Sequence, residues 1–149
     1  MISKLKSISV YVMSFLYIFI GIKHFIDLDY FLKIMPPYMP FKKFLVLLSG
    51  FFEILFGTMI MFKKWRNIGS WAIILLLIAV FPANIYIYNS EEARLILNAS
   101  KQDALIRMPF QMFLITIAYW HSIQKSSNIF SLFCLLLFFV TIIYFTIII

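Results

Sequence analysis

Glu53 stands in the middle of the apolar run Phe44–Phe62, with Lys42 and Lys43 before it and Lys63 and Lys64 after it. At a helical rise of 1.5 Å per residue the two lysine pairs lie about 28 to 32 Å apart, the thickness of a bilayer's hydrocarbon core, so the carboxylate falls near the midplane. There it opposes insertion by about 2.5 to 3.5 kcal/mol. About twelve Leu, Ile, Val and Phe residues favour insertion by about 0.3 to 0.6 kcal/mol each, or about 4 to 7 together. The helix inserts, and an acid held inside a membrane is a functional candidate because such groups are rare and usually face a bundle interior.

Other polar residues recur at helical spacing. Ser14, Tyr17, Gly21 and His24 form one stripe; Ser49 or Gly50, Glu53 and Gly57 form a second. Asn84 and Tyr88 lie one turn apart, and Arg107, Gln111, Ile115 and Ala118 align on a fourth helix. Gly50 and Gly57 allow a neighbouring backbone to approach the Glu53 face closely. If successive helices alternate in direction, His24, Asn84, Arg107 and Gln111 share one half of the membrane. Glu53 then lies about 15 Å below Lys43 and Gln111 about 6 Å below Arg107, a polar funnel narrowing toward the acid. Pro82 cannot donate a helical hydrogen bond, which frees a carbonyl near Ile78.

Each residue also has a structural reading. Glu53 could pair with Arg107 or His24 merely to hold helices together, His24 could be an interface residue, and Asn84 an interhelical hydrogen bond. Trp65, Trp71, Tyr119 and Trp120 read as an aromatic belt. No metal site is expected, because one glutamate and two histidines at opposite membrane faces make no ligand set.

These residues must be positioned by transmembrane helices. The 149 residues are 64% hydrophobic and 13% charged, and mean hydropathy is +0.99, far outside the range of soluble domains. Apolar runs cover Ser7–Ile22, Phe44–Phe62, Gly69–Tyr88, Leu105–Ser122 and Ile129–Ile149. The expected fold is an all-α membrane protein, a four-helix transmembrane bundle over 1–123 with a fifth C-terminal helix over 124–149 packed on its outside. The N-terminal run has basic and apolar regions like those of a signal peptide but no small-x-small cleavage site at Gly21–His24, so it reads as a retained first helix.

The net charge of +7 comes from lysines at helix ends, where they reach toward anionic headgroups, and gives no support for nucleic-acid binding. Cys134, the single cysteine, excludes a self-contained dithiol chemistry. Lysine and arginine counts on the two faces are almost equal; the dense Lys63–Arg66 loop favours an N-terminus inside the cell. Asp27–Phe41, interrupted by Pro36, Pro37 and Pro40, and Ser90–Ala104, which reads as a short amphipathic helix, are placed to cap the same opening on the other face.

Gly21-Ile22-Lys23-His24-Phe25, Ile34-Met35-Pro36-Pro37-Tyr38-Met39-Pro40, Leu48-Ser49-Gly50 with Glu53-Ile54 and Gly57, Phe81-Pro82-Ala83-Asn84-Ile85-Tyr86 and Arg107-Met108-Pro109-Phe110-Gln111 together resemble the DoxX-like family of small bacterial membrane proteins. The resemblance covers about Ser7 to Trp120. It implies a four-helix bundle in the bacterial cell (inner) membrane, with some members named as subunits of thiosulfate:quinone oxidoreductase. The fifth run, Ile129–Ile149, departs from that pattern.

The leading expectation is a subunit of a membrane redox system that binds a small amphipathic ligand such as a quinone at His24, Glu53, Asn84, Arg107 and Gln111. Arg107 and Gln111 would donate to a carbonyl oxygen while Glu53 or His24 exchanges protons. No intrinsic cofactor motif is present, so electrons must come from a partner subunit or from the quinone itself. Two alternatives differ in class: an assembly factor recognising a client's transmembrane segment, and a small-solute transporter working as an oligomer.

Overall fold

The computed structural model describes residues 2–148. Among them every regular element is a helix: α1 (Ile2–Ile26), α2 (Leu28–Lys33), α3 (Lys42–Met61), α4 (Arg66–Asn89), α5 (Glu91–Ile96), α6 (Lys101–Ser122) and α7 (Asn128–Ile148). Four of these, α1, α3, α4 and α7, are long and apolar enough to cross a membrane. This is a multi-pass membrane protein. The helix α6 is as long as its neighbours, but Arg107, Gln111, His121 and the residues of its first turn make it the least apolar of the long helices.

The five long helices form a closed ring in which α1 packs on α3, α3 on α4, α4 on α6, α6 on α7 and α7 back on α1. Val10, Met13, Tyr17, Ile60, Ile73, Ile74, Ile117, Ala118, Leu137 and Phe138, drawn from all five, fill its centre. These lie toward the end of the ring where α1 begins, here called the N-terminal face. The expectation that the last helix packs outside the bundle is corrected: α7 sits in the wall. Its inward residues Ser131, Cys134, Phe138 and Thr141 are buried at helical spacing.

The tightest approach is between α1 and α3, where glycines replace side chains. A Cβ at Gly50 would lie 2.5 Å from His24 Cβ and 2.9 Å from the Gly21 carbonyl; one at Gly21 would lie 2.7 Å from the Gly50 carbonyl. Gly57 meets the Ser14 backbone and Tyr17 in the same way. The two backbones therefore run in contact from Ser14 to His24, as small residues permit in lipid.

On the opposite face, the proline-loop face, both connections fold over the ring. α2 packs on α3 and on α5, and Ile34 joins a cluster with Ile87, Ala93, Leu97 and Ala104. The segment Ser90–Ala104 is not one helix. α5 ends at Ile96, and Ser100 begins α6 with a capping box in which its hydroxyl accepts the Asp103 backbone N–H while its own backbone N–H donates to the Asp103 carboxylate, to which the hydroxyl donates as well. Those bonds hold the Asp103 carboxyl below its usual range.

Gly50→Ala should push α1 from α3 and lower stability by about 1 to 3 kcal/mol, read as a drop in melting temperature in detergent. Ser49→Ala, which removes only a bond to the Val46 carbonyl of its own helix, should change it by less than about 0.5 kcal/mol.

Candidate functional site

The α1–α3 contact brings two of the five candidate residues together. His24, one turn beyond Gly21 on the buried face of α1, sits against Gly50, and its Nδ1 is 3.4 Å from Glu53 Oε2. The two side chains are 10% and 16% exposed, so both are largely withdrawn from their surroundings without being sealed. His24 Nδ1 is also 2.9 Å from the Ile20 carbonyl, to which it donates when it carries the proton. Glu53 Oε2 is buried and has no hydrogen-bond partner. Phe31 from α2 stacks on the His24 imidazole with ring centres 3.7 Å apart, which makes α2 the roof of this pair.

Two further buried groups lie along the same seam. Tyr17, against Gly57 one turn from Glu53, is buried with an unpartnered hydroxyl, and so is Ser14. A column of Ser14, Tyr17, Glu53 and His24 thus carries more hydrogen-bonding capacity than its members use among themselves. Unused donors and acceptors in a low-dielectric interior are costly and mark where water or a polar ligand group can bind.

Asn84 and Gln111 form a second pair on the α4–α6 seam. Asn84 Nδ2 donates to Gln111 Oε1, and Gln111 Nε2 donates to the Leu77 carbonyl. That carbonyl lies next to the one Pro82 deprives of its helical donor, so the irregular turn made by the proline is where Gln111 attaches. The amide of Gln111 is used at both ends, which makes it a clamp between helices.

Arg107 joins neither pair. Among the described residues its Nε is buried without a partner, and no ion pair links it to Glu53. One turn further along α6, Phe110 stacks on Tyr144 of α7 at 3.8 Å, and the Tyr144 hydroxyl is likewise unpartnered. Two open surface grooves, about 380 Å³ beside Leu55, Met59 and Trp65 and about 490 Å³ beside Phe41, Phe44 and Leu47, contain none of the five candidates. No group of three or more potential metal ligands occurs among the described residues.

A further polar centre, which residue spacing alone does not reveal, lies at the N-terminal face. Ser9 Oγ and His121 Nε2 are 2.9 Å apart, and Lys6 Nζ donates to the Ile123 carbonyl at 2.8 Å while lying 5.2 Å from the Trp120 ring. Trp120 is no belt residue: it is fully buried, with its indole N–H toward Ser126 of the turn before α7 and Ser131 of the first turn of α7. Trp65, Trp71 and Tyr119 remain exposed, as a belt requires.

A family profile described as a domain of unknown function, DUF8561, matches residues 13–122. The chain belongs to that family, and the matched stretch holds all five candidate residues. No curated protein and no solved structure matches the chain.

A double-mutant cycle on Asn84→Ala and Gln111→Ala should give a coupling of about 0.6 to 2 kcal/mol. The same cycle on Glu53→Gln and Arg107→Gln should give less than about 0.5; a larger value would put the guanidinium beside the acid.

Proposed function

We propose that this protein is a DoxX-like subunit of the bacterial inner membrane that crosses it five times and binds a small amphipathic ligand, of which a quinone is the leading class, at the Glu53–His24 pair. Support for the fifth crossing comes from the register of α6 on α4. Asn67 meets the Ser122 carbonyl, Trp71 meets Tyr119, and Asn84 meets Gln111, so α6 runs antiparallel along nearly the whole length of α4 and shares its depth. Its polar residues turn toward neighbouring helices, which is how a less apolar helix is accommodated in lipid.

The observation that carries the ligand reading is the buried Glu53 Oε2, set 3.4 Å from an imidazole yet with no hydrogen-bond partner. An acid and a histidine at that distance can take up and release a proton on a ligand oxygen, while the Tyr17 hydroxyl supplies a donor one turn away. The apolar body of such a ligand would lie along the α1–α3 seam, and entry requires α2 to lift Phe31 from His24. Electrons would come from a partner subunit in the same bilayer or from the quinone itself. The Asn84–Gln111 clamp supports the site by fixing α4 against α6.

Purified protein in detergent should bind a short-chain benzoquinone, followed by quenching of tryptophan fluorescence. Glu53→Gln and His24→Ala should each weaken binding about 10- to 100-fold with the helical spectrum unchanged. Unchanged affinity in both variants rejects the site. Retained binding to a client membrane protein with no response to any quinone would favour the assembly-factor reading.

A further inference from the structure

Charge is divided very unevenly between the two faces. All six acids, Asp27, Asp29, Glu53, Glu91, Glu92 and Asp103, lie between the end of α1 and the first turn of α6 on the proline-loop side or, for Glu53, mid-helix. The N-terminal face carries Lys4, Lys6, Lys63, Lys64, Arg66 and Lys125 and no acid. Four of those cations are exposed and can be neutralised by solvent ions, but Lys6 and Arg66 are partly buried at the inner rim of the ring.

Each of these two caps the end of a helix, and Lys6 also lies over the Trp120 ring. Lys6 Nζ donates to the Ile123 carbonyl beyond α6, and Arg66 donates through Nε to the Ile60 carbonyl at 2.9 Å and through Nη2 to Met61 at 3.3 Å, at the end of α3. Two helix C-termini supply about half a negative charge each. Two full positive charges therefore remain about half uncompensated, and the N-termini of α1, α4 and α7, which open on the same face, add positive potential.

Beneath them is a buried polar floor with spare capacity. Ser70 is fully buried and its hydroxyl has no partner; His121 is 2% exposed and its Nδ1 has no partner. The Ser9 hydroxyl donates to the Lys6 carbonyl at 2.9 Å and so accepts from His121 Nε2–H, which leaves Nδ1 as an unpaired acceptor. Asn67, next to Arg66, donates to the Ser122 carbonyl at 3.0 Å, so the start of α4 meets the end of α6 where Lys6 bonds Ile123 and His121 faces Ser9, which brings floor and rim together. Lys6 retains two N–H donors, Arg66 retains three, and the Ser70 hydroxyl is unspent.

We infer that Lys6, Arg66 and Ser70 form a binding site for a phosphate-type anion, the chemistry shared by an anionic phospholipid headgroup and free inorganic phosphate, at the face opposite the Glu53–His24 pair. Several hydrogen-bond donors of different lengths, two fixed positive charges and no competing carboxylate fit a tetrahedral oxyanion. A site recessed at the rim of a transmembrane ring is at headgroup depth, where such an anion is continuously available. The inference stands independently of the quinone reading.

The test uses the full-length protein and two double variants that remove the same charge: Lys6→Gln with Arg66→Gln, and Lys4→Gln with Lys125→Gln at exposed positions. Melting temperature is measured in neutral detergent with added phosphatidylglycerol, with phosphatidylcholine, and with sodium phosphate against sodium chloride at matched ionic strength. Phosphatidylglycerol should raise it by about 2 to 4 °C in the native protein and in the exposed-site variant, and by less than a third of that in the Lys6/Arg66 variant. Phosphatidylcholine should have no effect. A matching rise with inorganic phosphate identifies the free ion as sufficient; a rise with phosphatidylglycerol alone identifies the lipid headgroup. An equal response in both variants would show diffuse surface attraction and overturn the site, and so would no response in the native protein. If the Lys6/Arg66 variant does not fold, Ser70→Val, which keeps both charges, must reduce the rise at least twofold or the inference fails.

Discussion

The contact between the α1 and α3 backbones is what the rest of the molecule depends on. Between helices in lipid there is no hydrophobic force to bring apolar faces together, because acyl chains are as apolar as leucine; association rests on close packing and on polar groups that find each other. Gly21, Gly50 and Gly57 supply the first of these along three turns. Their spacing delivers the second, because His24 lies one turn from Gly21 and Glu53 one turn from both Gly50 and Gly57. A wider interhelical distance would leave an acid and an imidazole facing hydrocarbon.

The ring closure follows a different rule. α4 and α6 are fastened by side-chain amides, Asn84 with Gln111 and Asn67 with the Ser122 carbonyl, and α7 is fastened at its start by the serines that receive the Trp120 indole. These bonds lie near the ends and at a proline-loosened turn of α4, the places where backbone carbonyls or amides are free to be reached. The apolar middle then needs only shape, and Val10, Ile60, Ile73, Ile117 and Phe138 provide it from five sides. Rigid polar fastening at the periphery and glycine contact on one seam leave the α2 roof as the most loosely attached part over the candidate site. It is six residues long, has no buried residue, and lacks a side-chain N-cap bond.

Much of this arrangement could be read from residue types and spacing. A lone carboxylate in a run of apolar residues must be accounted for, and glycines at i−3 and i+4 from it mark the face that meets another helix, so the pairing of Glu53 with a polar stripe on the first helix was accessible. Which partner it takes was harder. Arg107 and Gln111 lie four residues apart and share a stripe on a helical wheel, yet the 40° between them suffices to give one to α4 and leave the other without a partner. Trp120 shows the same limit. A tryptophan two residues from a helix end belongs by composition to the interface, and only the path of the following turn, which carries Ser126 and Ser131 over it, buries it. The stripe of Ser131, Cys134, Phe138 and Thr141 did hold a signal for an inward face on α7, obscured by the apolarity of every residue around it.

The limits of the family match separate the two polar centres. Residues 13–122 contain Ser14, Tyr17, His24, Glu53, Asn84 and Gln111, so the acid–imidazole seam and its amide clamp are built wholly within the DUF8561 unit. The opposite centre is not. It takes Arg66, Ser70 and His121 from within that stretch but Lys6 and Ser9 from before it, and the tryptophan over which Lys6 lies is covered by serines from after it. A unit limited to the matched residues would present Arg66 at the rim without the second cation, and would lack α7, which packs on both α1 and α6. The same additions that close the ring thus also concentrate positive charge at its N-terminal face.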